Sequence, residues 1–334
     1  MAATRPRAAR DRYRQRRRRR RERRDRLLVA GLNGMRRLAH LLGARLTVGL
    51  AAAVARLTGR VLAKPRALAQ AQLAQALPES TPHERRELVN QMFDGLGRSV
   101  GELLLFDRIT ADLDAWVRLE GAELLDRALA AGRGVITISG HIGNWELLAA
   151  TLALKGYPLT VVATEVKGRR LNEENVRLRA ACGVATILRS AQGSARELLG
   201  TLRRGRVLGL LIDQDTRVQS VEVPFFGRLA RTPVGAASLA LRTGAPILGT
   251  FIHRERDGRH VVRIIEPELP ARPADDVGPA QRAAARASWH IAATAAATKL
   301  IEDVIRQHPE TWVWWHRRWG EGDTRPGIAV ESAA

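Results

Sequence analysis

"GVITISGHIGNWELLAATLAL", residues 134–154, is the stretch whose reading decides the fold. Gly134-Val135-Ile136-Thr137-Ile138 is short and β-branched, and reads as a buried strand. Leu147-Leu148-Ala149-Ala150-Thr151-Leu152-Ala153-Leu154 reads as a helix that stops at Gly156. Between them lies a polar, flexible break in which His141 is flanked by Gly140 and Gly143, with Glu146 five positions later. In an α/β sheet, chemistry sits just outside the C-terminal ends of the strands, and that is where His141 falls.

Working outward, the same alternation recurs. Strand candidates at 134–139, 159–164, 184–188, 207–212, 246–253 and 259–266 are separated by helix candidates at 144–155, 170–182, 194–204 and 233–243, several of them ended by glycine. The fold class is therefore α/β, with a mixed, largely parallel sheet flanked by helices. Asp257-Gly258 is a hairpin signal that predicts an antiparallel edge formed by the last two strands, and a long helix follows at about 278–307.

Before residue 110 the period is helical, and "LPESTPHERREL" (77–88) supplies a turn and a helix start ahead of an acidic first turn. The closely spaced glycines of "FDGLGRSVGELLLF" (93–106) follow no strand, so they read as helix packing rather than a dinucleotide loop. Residues 27–62 are apolar but punctuated by Arg36, Arg37, Arg45, Arg56 and Arg60, and the longest uncharged run between them, Leu46–Ala55, is ten residues. A membrane-crossing helix requires roughly 20. Two readings remain: a helix lying in the membrane interface, and a helix packed on the main domain with its arginines outward.

The net charge of +21 is uneven: residues 1–26 hold 14 arginines against three acids. Four parts are expected: a disordered Arg-rich arm (1–26), a helical, membrane-associating region (27–110), an α/β domain (111–325) and a flexible tail (326–334). At 334 residues with 45% hydrophobic content the chain can bury a full-sized core. A single cysteine, Cys182, excludes a disulfide framework and any cysteine-based zinc site.

Several chemistries drop out. There is no GxxxxGK[ST], no strand-linked GxGxxG, no GxSxG and no HExxH. What remains is general-base chemistry at His141, with Glu146 reaching back to hold one imidazole nitrogen so that the other takes a proton from an alcohol attacking a thioester. No metal or other cofactor is expected.

Four segments strengthen that reading: "GHIGNWELL" (140–148), "LLIDQD" (210–215), "VPFFGRLARTPVGAASLALRTGAPIL" (223–248) and "HPETWVWWHRRW" (308–319). In this order and at these separations they resemble the lipid A biosynthesis lauroyl/myristoyl acyltransferase family, within the glycerolipid acyltransferase-like fold, from about Leu77 to Trp319. The resemblance implies that His141 and Glu146 form an H-x4-E catalytic pair. It implies that Asp213 is the acidic residue of a D-Q/H-D segment, and that Arg189 lies near an arginine holding phosphate or sugar, a role for which Arg177 and Arg179 compete. Asn144 joins the implied substrate-binding set, and Phe225 and Phe226 become an apolar wall near an acyl chain.

The resemblance further implies a donor, acyl carrier protein or acyl-coenzyme A, a glycolipid acceptor, and a peripheral or monotopic position on the cytoplasmic face of the bacterial inner membrane. The basic charge favours acyl carrier protein, which is acidic, and suits an anionic membrane surface. The same pattern occurs in acyltransferases for phosphatidylinositol mannosides and other lipids. The Arg-rich start departs from the short apolar N-terminus common in the family, which points to electrostatic anchoring. A non-catalytic basic binding protein is the competing class; nucleic acid is disfavoured as its partner, because the arm has one tyrosine and no tryptophan. Trp312, Trp314, Trp315 and Trp319 fit either the headgroup region of a membrane or packing against the core.

Overall fold

Residues 7–320, apart from 166–167 and 275–277, are described by a computed structural model. The chain begins with helices α1 (Arg7–Leu42), α2 (Ala44–Val61), α3 (Ala63–Ala76) and α4 (Pro82–Leu104). Thr81 starts α4 with a capping box: its hydroxyl accepts from the Glu84 N–H, and the Glu84 carboxylate accepts from the Thr81 N–H. Short helices α5 (Phe106–Ala111) and α6 (Leu113–Trp116) lead into β1 (Val117–Glu120).

Alternating units follow: α7 (Ala122–Ala130), β2 (Val135–Ser139), α8 (Trp145–Leu154), β3 (Leu159–Ala163), α9 (Arg169–Ala181), β4 (Ala185–Leu188), α10 (Ser194–Arg203) and β5 (Val207–Leu211). A hairpin of β6 (Ser220–Phe225) and β7 (Arg228–Pro233) precedes α11 (Gly235–Thr243), β8 (Ile247–Arg254), β9 (His260–Ile265) and α12 (Pro279–Gln307).

Seven strands form one sheet in the order β1-β9-β8-β2-β5-β3-β4, parallel except between β8 and β9. The central strands are apolar on both faces, so each face carries its own core. One gathers Leu147, Leu148 and Leu152 of α8 with Val135, Val207 and Leu248. The other gathers Ile136, Ile138 and Leu208 with α10, α11, α12 and the β6 strand. Leu73, Met92 and Phe93 of α3 and α4 belong to that second core, so the N-terminal helices and the sheet share packing across the expected boundary at 110.

Three expectations are corrected. The β8–β9 hairpin is antiparallel, but it is not the edge, because β1 pairs in parallel with β9 outside it. The Arg-rich stretch is helical from Arg7 onward; arginine is a good helix former, and the helix is docked further along, where Arg36 lies 3.6 Å from Glu174. Residues 1–6 of the expected arm and the tail at 326–334 lie outside the described residues. Phe225 ends β6, and Phe226 and Gly227 form the turn of the β6–β7 hairpin. Phe226 (φ 50°) and Gly227 (φ 71°) both take positive φ, the geometry of a tight two-residue connection.

That turn is held from outside. The Phe226 N–H donates to the Glu302 carboxylate at 2.6 Å, and the Arg306 guanidinium lies 4.5 Å from the Phe226 ring centroid. Both rings are buried against Trp312, Trp314 and Trp319, so they are core rather than the wall of a substrate channel. Trp312 and Trp314 are themselves fully buried.

Helix α2 packs along α4 through the glycines of the 93–106 stretch. A Cβ at Gly97 would fall 2.7 Å from the Ala51 carbonyl oxygen, and one at Gly101 would fall 2.8 Å from the Val48 Cα. This close approach brings Glu102, on α4, to full burial. Its carboxylate accepts from the Asn144 amide at 2.8 Å, pairs with Arg254, and lies 3.0 Å from His260 Nε2. Burial pushes its pKa up, but the His260, Arg254 and Asn144 contacts outweigh burial and hold it at about 2.

Glu102 thus ties α4 to β8, β9 and the residue that starts α8. Because its folded-state pKa lies below the ordinary 4.5, its stabilisation is fully present above pH 4.5 and fades as pH falls toward 2. Glu102→Gln is expected to lower unfolding stability near neutral pH by about 3–5 kcal/mol, since it strips the counter-charge from the Arg254 guanidinium and weakens the His260 and Asn144 contacts. In urea titrations the gap between variant and wild type should narrow as pH drops through that window.

Candidate active site

The turn after β2 is built by close approach. Gly143 has φ 57°, and a Cβ there would fall 2.5 Å from the Ile252 carbonyl oxygen on β8. Glycine is the residue that tolerates both demands. Asn144 then caps α8, its side-chain oxygen accepting from the Leu147 N–H at 3.1 Å while its amide is held by Glu102. The resemblance implies a substrate-binding role for Asn144; its side chain is instead buried and engaged in holding the helix start.

The carboxylate that grips His141 is that of Asp213, at the end of β5. Asp213 Oδ1 lies 2.9 Å from His141 Nδ1, and Oδ2 accepts from the His141 backbone N–H at 2.7 Å and from the Trp312 indole N–H at 2.8 Å. β2 and β5 are parallel neighbours in register at Ser139↔Leu211, which brings the two strand ends together. Burial pushes the Asp213 pKa up, yet His141 and the Trp312 N–H together hold it below the usual carboxylate value. An ionised Asp213 accepts a hydrogen bond from Nδ1–H, which keeps the proton on Nδ1 and leaves the Nε2 lone pair free to act as base.

Glu146 makes a different pair. Its two oxygens accept from Arg179 Nε at 2.8 Å and Nη2 at 2.6 Å, a bidentate contact from α9. The structure therefore brings His141, Asp213, Glu146 and Arg179 to one site, but joins them as His141–Asp213 and Glu146–Arg179. Arg177, the competitor for the phosphate role, is instead exposed and paired with Glu174 at 2.6 Å.

The site opens into a cavity of about 560 Å³ lined by His141, Trp145, Glu146, Arg179 and Arg189. Its origin is topological. β3 and β5 pair from Leu159↔Val207 to Val161↔Gly209 and then part, while β2–β5 continues to Ser139↔Leu211 and β3–β4 to Ala163↔Leu188. The chain leaves β3 toward α9 on the α8 face, and leaves β5 toward β6 on the opposite face. A crevice at the strand ends follows wherever neighbouring strands send their connections to opposite faces. The walls are mostly apolar, with Leu148, Ala149 and Leu152 on one face and Leu198 and Leu239 on the other.

Sequence reading missed three contributors. His316 stands with its ring centroid 6.1 Å from that of His141, opposite Trp145 at 5.1 Å; its Nε2 is buried without a hydrogen-bond partner among the described residues, and burial pulls its pKa down. Gln72 of α3 donates to the Trp314 and His316 carbonyls and accepts from the Arg318 N–H, fixing the segment that delivers Trp312 and His316. Arg242 of α11 also lines the cavity. The motif "HPETWVWWHRRW" carries the signal for the first, a histidine set among its tryptophans. Among the described residues no cluster of histidine, cysteine and carboxylate side chains is placed to hold a metal ion.

With this geometry in hand, comparison with known proteins is decisive at the family level. The model for "bacterial lipid A biosynthesis acyltransferase" matches residues 15–321, and the chain belongs to that family. A phosphatidylinositol mannoside acyltransferase of Mycobacterium tuberculosis is 32% identical over 201 residues, 60% of this chain and 58% of that protein. The match thus spans less than two thirds of that relative's length. A lipid A biosynthesis palmitoleoyltransferase of Escherichia coli is 26% identical over 268 residues, 79% of this chain and 81% of that protein. A lauroyltransferase of the same organism is 26% identical over 263 residues, 75% and 76% respectively.

Asp213→Asn tests the gripping contact. The asparagine oxygen keeps the His141 and Trp312 N–H groups, which turns its NH₂ toward Nδ1 and forces the proton onto Nε2. Imidazole ¹⁵N shifts of His141 should report the Nδ1–H tautomer in wild type and its loss in the variant.

Proposed function

We propose that this protein is a membrane-docked O-acyltransferase that moves a fatty acyl chain from a thioester to a hydroxyl of a glycolipid. The observation that carries this reading is a histidine, fixed in one tautomer by a buried carboxylate, at the mouth of a mostly apolar cavity. His141 Nε2 takes the proton of the acceptor hydroxyl as its oxygen attacks the thioester carbonyl carbon. The tetrahedral intermediate collapses with loss of the thiolate, which receives that proton, and an ester remains. No covalent enzyme intermediate is required. General-base assistance of this kind is typically worth about 10²–10⁴-fold.

Arg179 neutralises Glu146 and fixes it beside His141, so Glu146 serves as an oriented acceptor for a sugar hydroxyl. Arg189 and Arg242, which line the cavity and have no ion-pair partner among the described residues, suit a phosphate of the donor or acceptor. The charge of +21 favours acyl carrier protein over coenzyme A as donor carrier. Relatives named for lipid A and for phosphatidylinositol mannoside both support a glycolipid acceptor. A lipid A precursor is the favoured one, and the 32% identity to the mycobacterial proteins supports the mannoside as the second reading.

Docking is supported by where apolar surface is left uncovered. Twelve of the fifteen exposed large apolar side chains among the described residues fall between 27 and 62, including Leu41 (84% exposed), Val61 (74%) and Leu57 (63%). No single described helix is long and apolar enough to cross a membrane; α2 and α3 qualify only as a pair bent by 87°. Exposed leucines interspersed with arginines suit a helix pair lying in the interface, on the cytoplasmic face of the bacterial inner membrane.

The direct test supplies acyl thioesters with a lipid A precursor or a phosphatidylinositol mannoside. Wild type should form the ester, and His141→Ala should lose it by about 10²–10⁴-fold with its circular dichroism unchanged; equal turnover in both would overturn the mechanism. Leu41→Asp with Leu57→Asp should weaken sedimentation with anionic vesicles while leaving transfer to detergent-dispersed acceptor intact. Unaltered sedimentation would remove these helices from the docking surface.

A further inference from the structure

The lining of the cavity falls on both faces of the sheet, an α8-face branch and an opposite-face branch, and the two differ in the side chains at their ends. On the α8 face it runs over Ser139, Thr137 and Gly209 under Ala149, and reaches Leu152 and Leu159. Both leucines are 1% exposed, so this branch is closed by apolar side chains. On the opposite face it follows Leu198, Ser238 and Leu239 of α10 and α11 down to Arg242, a charged and exposed end. A saturated chain whose length is measured needs a closed apolar end, because a methyl terminus beside a guanidinium gains nothing from burial.

Gly209 is the last β5 residue paired with β3, at the point where the two strands part. It sits in the middle of the sheet, between Thr137 and Val161. Its φ is not in the left-handed region, so no backbone demand explains a glycine here. A Cβ would lie 3.4 Å from Leu159 Cδ1 and Val161 Cγ1 and 3.5 Å from Thr137 Oγ1, ordinary contact distances. The backbone and its neighbours therefore accommodate alanine, and glycine inside a strand is otherwise unfavourable. What a side chain at 209 would take away is the floor of the α8-face branch.

We propose that Gly209 sets the length of the acyl chain this protein accepts, by leaving the floor of the α8-face branch open between the catalytic turn and the Leu152–Leu159 end. The proposal rests on the acyl-transfer reading and adds the branch and the residue that select the substrate. Larger side chains at 209 close the branch progressively nearer to His141.

The test is a competition assay with an equimolar series of saturated acyl thioesters from eight to eighteen carbons, the ester products being quantified by mass spectrometry. Gly209→Ala and Gly209→Val should move the preferred length downward in sequence, by about two carbons or more for valine, with kcat/KM for the shortest donors retained within a few-fold. Thermal melts should show Gly209→Ala at least as stable as wild type, which separates lost room from lost folding. Ser238→Leu, filling the other branch, should leave the length profile unaltered. A uniform loss across all lengths in both Gly209 variants, or a profile that moves with Ser238→Leu and not with Gly209, would overturn the assignment while leaving acyl transfer standing. Absence of any ester from wild type would instead overturn the acyl-transfer reading on which it rests.

Discussion

The Asp213 carboxylate is the point on which the site depends. It collects three donors from two distant parts of the chain: the backbone and imidazole of His141 and the indole of Trp312. A buried carboxylate without such partners would take up a proton, and with them it stays ionised and rigid. Much of the surrounding architecture serves that contact. A side chain at Gly140 would crowd Asp213, with its Cβ 3.2 Å from Oδ2. The C-terminal segment is pinned by Gln72, and it meets the turn directly where the Gly143 N–H donates to the Thr311 carbonyl at 2.9 Å.

A second buried carboxylate works on the other side of the same turn. Glu102 holds Asn144, and Asn144 starts the helix whose first turn carries Glu146. Because Glu102 sits on α4, and α4 is packed against α2 at glycine-to-backbone distance, the helices with the exposed apolar face are rigidly continuous with the catalytic turn. In the proposed docking, the packing that orients those helices is the packing that orients His141.

The alternation of buried strands and helices was legible because each central strand is an apolar run and each following helix ends in glycine. β1 escaped notice because "VRLE" is four residues with two charges, and β6–β7 because its turn is Phe-Gly, where a side chain with positive φ is retained only by the Glu302 and Arg306 contacts. His141 could be picked out from its place at a strand end. Its partner could not: Asp213 lies 72 residues away, and only the adjacency of β2 and β5, which the order of strands along the chain does not reveal, brings the two together. Glu146 was the near candidate, but α8 begins at Trp145, so Glu146 sits in the first helical turn and meets Arg179 of α9. Gly209 and Gln72 carry no local signature at all, since what they do depends on which elements meet there.

The central claim is that Asp213, through the tautomer of His141, makes the base that drives acyl transfer. The single-turnover rate of ester formation in Asp213→Asn, measured at saturating thioester and acceptor, tests it most directly. The account predicts a fall of about 10²–10⁴-fold, the range of general-base assistance, with thioester affinity retained. A rate within a few-fold of wild type would contradict it.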